Sequence, residues 1–192
     1  MNDGSMYNEL LRFVDNMAGG KVSAKNIEDS MNAIAYHESA RTMDPFIKQK
    51  VFDEALGQNI AGPGRGIFQY EMQPSEKFPK ASGAGTVALQ RTYNFFSKQK
   101  GMSLAEMPDW IKSRVNSRGE VNVDVDASEL STQQQKIMFL ADKYKDEKVV
   151  LADLGNMYLA EWWSKYHHKG EDSNILGFAK DQAAFLISGF FK

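Results

Sequence analysis

The chain has 192 residues, 42% hydrophobic and 25% charged, which is enough for a well-buried core and far from the composition of a disordered segment. Its net charge of −2 argues against a nucleic-acid partner, whose phosphates call for a basic surface, and the absence of cysteine excludes disulfides and thiolate metal sites. No stretch approaches the roughly eighteen consecutive apolar residues of a membrane helix, so no membrane insertion is expected.

The opening residues, MNDGSMYNELLRFVDNMAGG, place acids early and lack the basic start and apolar run of a secretory signal. Met6, Leu10, Phe13, Val14 and Met17 recur at helical spacing, and Gly19-Gly20 closes that helix. Ser23 is the expected N-cap of a second helix that ends near Glu38. From Pro45 to about Pro79 the periodicity weakens, and Gly57, Gly62, Pro63, Gly64 and Gly66 mark an irregular segment with tight turns. A helix resumes after Gly83 and Gly85 through Val87, Leu89, Tyr93 and Phe96, and Ser103 with Glu106 forms a capping box before Trp110 and Ile111. VNVDVDASEL reads as a short strand or an extended connection leading into a turn. Ser131 with Gln134 caps a helix through Ile137, Leu140, Ala141 and Tyr144, a further helix passes through Leu151, Leu154, Tyr158 and Glu161, and a last one runs from Ile175 to Gly189. The sum is a single domain over 1–192, mostly α with a small extended part (α+β).

The second helix carries an anomaly. Ile27, Met31 and Ile34 form one apolar stripe, and Glu38 continues it. A carboxylate there loses water, so it must find a cationic partner, which is a structural solution, or raise its pKa above the usual value of about 4.3 and hold a proton, which is a catalytic one.

GPGRGIFQYE, residues 62–71, is the second informative stretch. Its three glycines let a bulky neighbour or a ligand approach the backbone, and Gln69 and Tyr70 offer amide and phenol groups suited to hydroxyl-rich ligands. The plainer reading is a tight turn before a short strand.

Together the two stretches resemble the lytic transglycosylases and goose-type lysozymes. Those families place Glu-Ser at a helix end, here Glu38-Ser39, then a Gly-X-X-Gln segment, here Gly66-Ile67-Phe68-Gln69, and then a Gly-Thr-led helix, here from Gly85-Thr86. The resemblance covers roughly residues 27 to 100, and Glu71 stands where goose-type lysozymes carry an aspartate. The families' later Ala-Tyr-Asn has no close copy, although Tyr166-His167 lies at a suitable distance.

The resemblance implies a lysozyme-like, two-lobed fold with a cleft, and a substrate in the glycan strands of bacterial peptidoglycan. Glu38 would be the catalytic acid and then the base, while Ser39, Gln69, Tyr70, Tyr166 and His167 would bind the sugars. Glu71 is the second catalytic candidate: at roughly 6.5–9.5 Å across the cleft it would activate water for inverting hydrolysis. Asp53 and Glu54 are weaker candidates for the same role. No metal or cofactor is expected, and a chain made in the cytoplasm would reach the wall as a phage lysis protein or virion component. A virion component that keeps the fold only for wall binding or structure is the alternative.

Other constellations read structurally. His37-Glu38 lacks the second histidine of a zinc protease helix, and Asp124, Asp126 and Glu129 lack the glycine of a calcium loop. Trp162-Trp163 and Phe190-Phe191 read as packing aromatics, and Lys143, Lys145 and Lys148 as a solvated face.

Overall fold

The structure is a computed structural model and describes residues 1–17, 23–145, 148–149, 163 and 175–188. The fold is mostly α with a small three-stranded sheet, an α+β arrangement in which about half of the described residues are helical. The chain divides into two compact units, one of Met1–Met6 with Asp44–Asp142 and one of Tyr7–Met43 with Lys143–Lys192.

The first unit holds the sheet, and here the sequence expectation needs correction. The stretch expected to be irregular, with an extended part only near 66–71, contains β1 (Lys48–Asp53), β2 (Gln58–Arg65) and β3 (Tyr70–Glu71), antiparallel in that order. Local sequence hides these strands. β1 is largely exposed and offers no apolar alternation, and β2 contains Pro63 and two glycines, residues that argue against a strand. Pro63 is tolerated because the register of β1 and β2 is irregular there: Lys48 pairs with Arg65 but Lys50 with Ala61.

Both hairpin turns have a local cause. Between β1 and β2, Asp53 Oδ1 accepts from the amides of Ala55 and Leu56, and Gly57 takes the left-handed conformation at φ 61°. Between β2 and β3, the Gln69 amide closes on Gly66 O at 3.1 Å, which is the tight turn before a short strand. This second turn is anchored from helix α5 (Thr132–Lys143): buried Gln135 accepts from Ile67 N at 2.7 Å and donates to Pro45 O and Leu130 O, both at 2.9 Å. Phe68 stacks on Phe139 of the same helix, centroids 4.3 Å apart. A Cβ at Gly66 would collide with the Gln135 amide, so a neighbour within the chain accounts for that glycine.

Helix α3 (Ala84–Asn94) runs into a π-helical turn, Phe95–Gln99. It buries Ala88, Leu89 and Thr92, whereas Val87, expected on its core face, is exposed. The Ser103/Glu106 box forms, but around the 3-10 turn Leu104–Glu106, and α4 (Asp109–Lys112) follows. VNVDVDASEL is an extended connection: Val121 bridges Val115, and Asp126 caps the 3-10 turn Ala127–Glu129. Asp126 also pairs with Arg65, and Glu129 with Arg114, so both aspartate and glutamate serve turns and ion pairs. Ser131 and Gln134 form the reciprocal bonds of the second box at the start of α5. Lys143, expected on a solvated face, is buried at the other end of that helix.

In the second unit, α1 (Asp3–Met17, from Tyr7 onward) and α2 (Ala24–Glu38) join through Tyr7 Oη, which donates to Glu28 Oε1 at 3.0 Å. Ser23 caps α2 by accepting from Asn26 N. The apolar stripe is buried as expected, with Ile27, Met31 and Ile34 each no more than 1% exposed. The last described helix, α6 (Ile175–Ser188), packs against α2, where Phe185 meets Tyr36 at 5.0 Å. Tyr144–Lys145 and Lys148–Val149 pair as a short antiparallel ladder. The helix expected between Leu151 and Glu161 and the Phe190-Phe191 pair lie outside the described residues.

Candidate functional site

Glu38 is the last residue of α2 and is half-buried at the end of the stripe. One of its partners is an indole: Trp163 Nε1 donates to Glu38 Oε1 at 2.6 Å. Trp163 is itself buried and stacks on Phe178 of α6, centroids 4.9 Å apart and 20° between planes. It is a packing aromatic, as the sequence suggests, that also carries a hydrogen bond to the candidate acid.

His37 stands beside Glu38 and turns edge-on to both Trp163 and Phe178, with centroids 5.0 Å away in each case. Its Nδ1 lies 2.8 Å from Asp181 Oδ2 on α6. Asp181 Oδ1 accepts from Arg41, at 2.9 Å from Nε and also from a terminal guanidinium nitrogen. Burial alone would push the Asp181 carboxyl up, but the hydrogen bonds and charges of His37 and Arg41 outweigh it and hold the pKa below the usual range.

The chain leaves α2 through a hydrogen-bonded turn that begins directly after Glu38. Arg41 N donates to Tyr36 O at 2.7 Å and Ala40 N to His37 O at 3.1 Å, the paired bonds of a Schellman cap. The cap places Ala40 at φ 50°, where glycine is usual, and Arg41 and Met43 follow at φ 68° and 54°. Ser39, fully buried, secures the turn: its Oγ accepts from Met43 N at 2.9 Å and its carbonyl accepts from Thr42 Oγ1 at 2.7 Å. Three left-handed non-glycine residues in four positions persist only where surrounding bonds over-determine them.

Gln69, Tyr70, Glu71 and Asp53 belong to the first unit. Gln69, at φ 49°, donates from Nε2 to Gly66 O at 2.7 Å and so spends its amide on the hairpin turn. Tyr70 is buried, and its hydroxyl has no hydrogen-bond partner among the described residues. Burial raises the Tyr70 pKa well above the usual value, the Asp142 charge adds to this and Arg91 opposes it. Glu71 Oε2 accepts from Ser82 N at 2.7 Å, tying β3 to the segment before α3. Asp53 is engaged by Lys77 and its own turn, which lower its pKa. Tyr166 and His167 lie outside the described residues.

Sequence reasoning missed Asp181, Arg41 and Gln135 as organisers of these two regions. The only local signal was His37 next to Glu38. Among the described residues no group of histidines and acids is arranged to hold a metal ion, and no helix is long and apolar enough to cross a membrane.

No family model matches the chain, and neither a curated protein nor a solved structure shows significant similarity to it.

Proposed function

We propose that this chain cleaves the β-1,4 bond between N-acetylmuramic acid and N-acetylglucosamine in bacterial peptidoglycan, as a lytic transglycosylase. The observation that carries the reading is Glu38: a half-buried carboxyl that closes an apolar helix face, hydrogen-bonded by a buried indole and set in a strained, fully bonded cap. A carboxyl so placed suits general acid catalysis on a poor leaving group. Glu38 protonates the glycosidic oxygen as the C1–O4 bond breaks. Its carboxylate then takes the proton of the muramic C6 hydroxyl as O6 bonds to C1, which closes an anhydro ring and restores the acid. The nucleophile is intramolecular, so no water need be positioned and no second carboxylate is required.

The order Glu38-Ser39, Gly66 to Gln69 and Gly85-Thr86 supports the same reading through its resemblance to the lytic transglycosylases. The bond between Glu71 and Ser82 N gives that carboxylate a structural occupation, which favours this route over inverting hydrolysis. Delivery to the wall as part of a phage lysis system or virion belongs to the same proposal.

Mass spectrometry of purified peptidoglycan after digestion tests it. Anhydro-muropeptides are the expected products. Reducing ends would make the protein a muramidase with Glu71 as base, cut peptide stems would reject glycosidase chemistry, and intact glycan would leave a wall-binding or structural protein.

A further inference from the structure

Asp181 has no place in the chemistry above, yet it organises the surroundings of Glu38. We infer that Asp181 is a positioning residue for Glu38, acting through His37 and Arg41; the inference rests on the reading of Glu38 as the acid. Two paths lead from its two oxygens. Oδ2 meets His37 Nδ1, whose ring then presents an edge to Trp163, and the Trp163 N–H holds Glu38 Oε1. Oδ1 accepts from the Arg41 side chain and so pins a left-handed residue of the cap that ends α2 one residue beyond Glu38.

The arrangement has the properties such a role needs. Asp181 and His37 are only 15% and 19% exposed in their side chains, so water competes weakly for the bond between them, whereas the Arg41 side chain is exposed. Because the carboxylate can only accept, His37 donates from Nδ1, which fixes the orientation of its ring. The imidazole packs against both rings of the Trp163–Phe178 stack, 5.0 Å from each, so that its orientation bears on Trp163. The Arg41 side-chain bonds to Asp181 add to the Schellman bond of its amide in holding φ 68°. Removing the carboxylate therefore loosens both sides of Glu38 without touching substrate.

The test combines kinetics on purified peptidoglycan with the indole N–H resonance of Trp163, assigned by its loss in Trp163→Phe. In Asp181→Asn the amide cannot replace both acceptor oxygens. The expected result is a kcat lower by about tenfold to a hundredfold with KM nearly unchanged, since misplacement of a reacting group by about 1 Å has that effect. The Trp163 indole resonance should shift as well. His37→Asn keeps a donor near the Nδ1 position and removes the ring, and serves as the second variant if Asp181→Asn does not fold; the same kcat loss and indole shift are expected. Exposed Lys180→Ala on the same helix should change neither readout. An unchanged kcat, or a kcat loss with an unmoved indole resonance, overturns the role of Asp181. If the wild-type chain leaves glycan intact, the function proposal fails by itself, and the indole resonance alone decides whether Asp181 sets the Glu38 hydrogen bond.

Discussion

The indole of Trp163 and the carboxylate of Glu38 meet at 2.6 Å across 125 residues of sequence. A carboxyl left at the end of an apolar face thus gains a neutral donor, and its orientation is tied to the packing of Trp163 on Phe178. Trp163→Phe keeps an aromatic ring in that stack and removes the N–H. The expected outcome is a glycan-cleavage rate reduced about tenfold, with a melting temperature lowered by only a few degrees, the net loss of one hydrogen bond being worth roughly 0.5–1.5 kcal/mol. Rate and melting curves of the purified variant check it.

Glu38→Gln preserves shape and an oxygen that can still accept from Trp163, but it carries no titrating proton. Clearing of purified cell walls, followed by turbidity, should be lost almost completely while circular dichroism stays that of the wild type. Clearing within a few-fold of wild type would remove Glu38 from catalysis.

Glu71→Gln separates the two glycosidase routes. The amide oxygen can still accept from Ser82 N, so the fold should hold and activity should fall only modestly, with anhydro products unchanged. A loss of roughly 10²–10⁴-fold, the scale of general-base catalysis, would assign Glu71 that role.

Ala40 occupies the left-handed position of the Schellman cap at φ 50°. Glycine takes that conformation without the steric penalty of Cβ, and its greater freedom in the unfolded chain offsets part of the gain. Ala40→Gly is expected to stabilise the protein by about 0.5–1 kcal/mol in urea denaturation. A lower denaturation midpoint would show that the cap is not strained.

Asp181 links stability to acid pH. Its folded-state pKa is depressed, so its contribution is fully present above the unfolded value of about 3.9 and is lost as pH falls through the lower folded value. Wild type and Asp181→Asn should differ in melting temperature at pH 6, and the gap should close as the pH drops below about 4. A gap that stays constant down to pH 2.5 would mean that the carboxylate is not the stabilising form.

Much of the helical frame was legible in the sequence because its causes are local. The N-cap at Ser23, the boxes at Ser103/Glu106 and Ser131/Gln134, and the stripe Ile27, Met31, Ile34, Glu38 each depend on residues a few positions apart on one helix or turn. The short-range pattern also exposed Glu38 as an anomaly, and the glycines made a tight turn near Gly66 to Gln69 legible. The strands β1 and β2 escaped because an exposed strand and one carrying Pro63 leave no alternating signal; their pairing is decided by register across the hairpin. Tyr70 gave no sign that its hydroxyl would be enclosed, since burial is a property of everything packed around it. The surroundings of Glu38 depend on Asp181, 144 residues from His37, and on Trp163, while the Gly66 turn depends on Gln135, 68 residues beyond Ile67. No local periodicity encodes which side chains meet across such separations. The sequence supplied the carboxyl and the helix that ends with it, and only the packing of distant helices decided what holds that carboxyl in place.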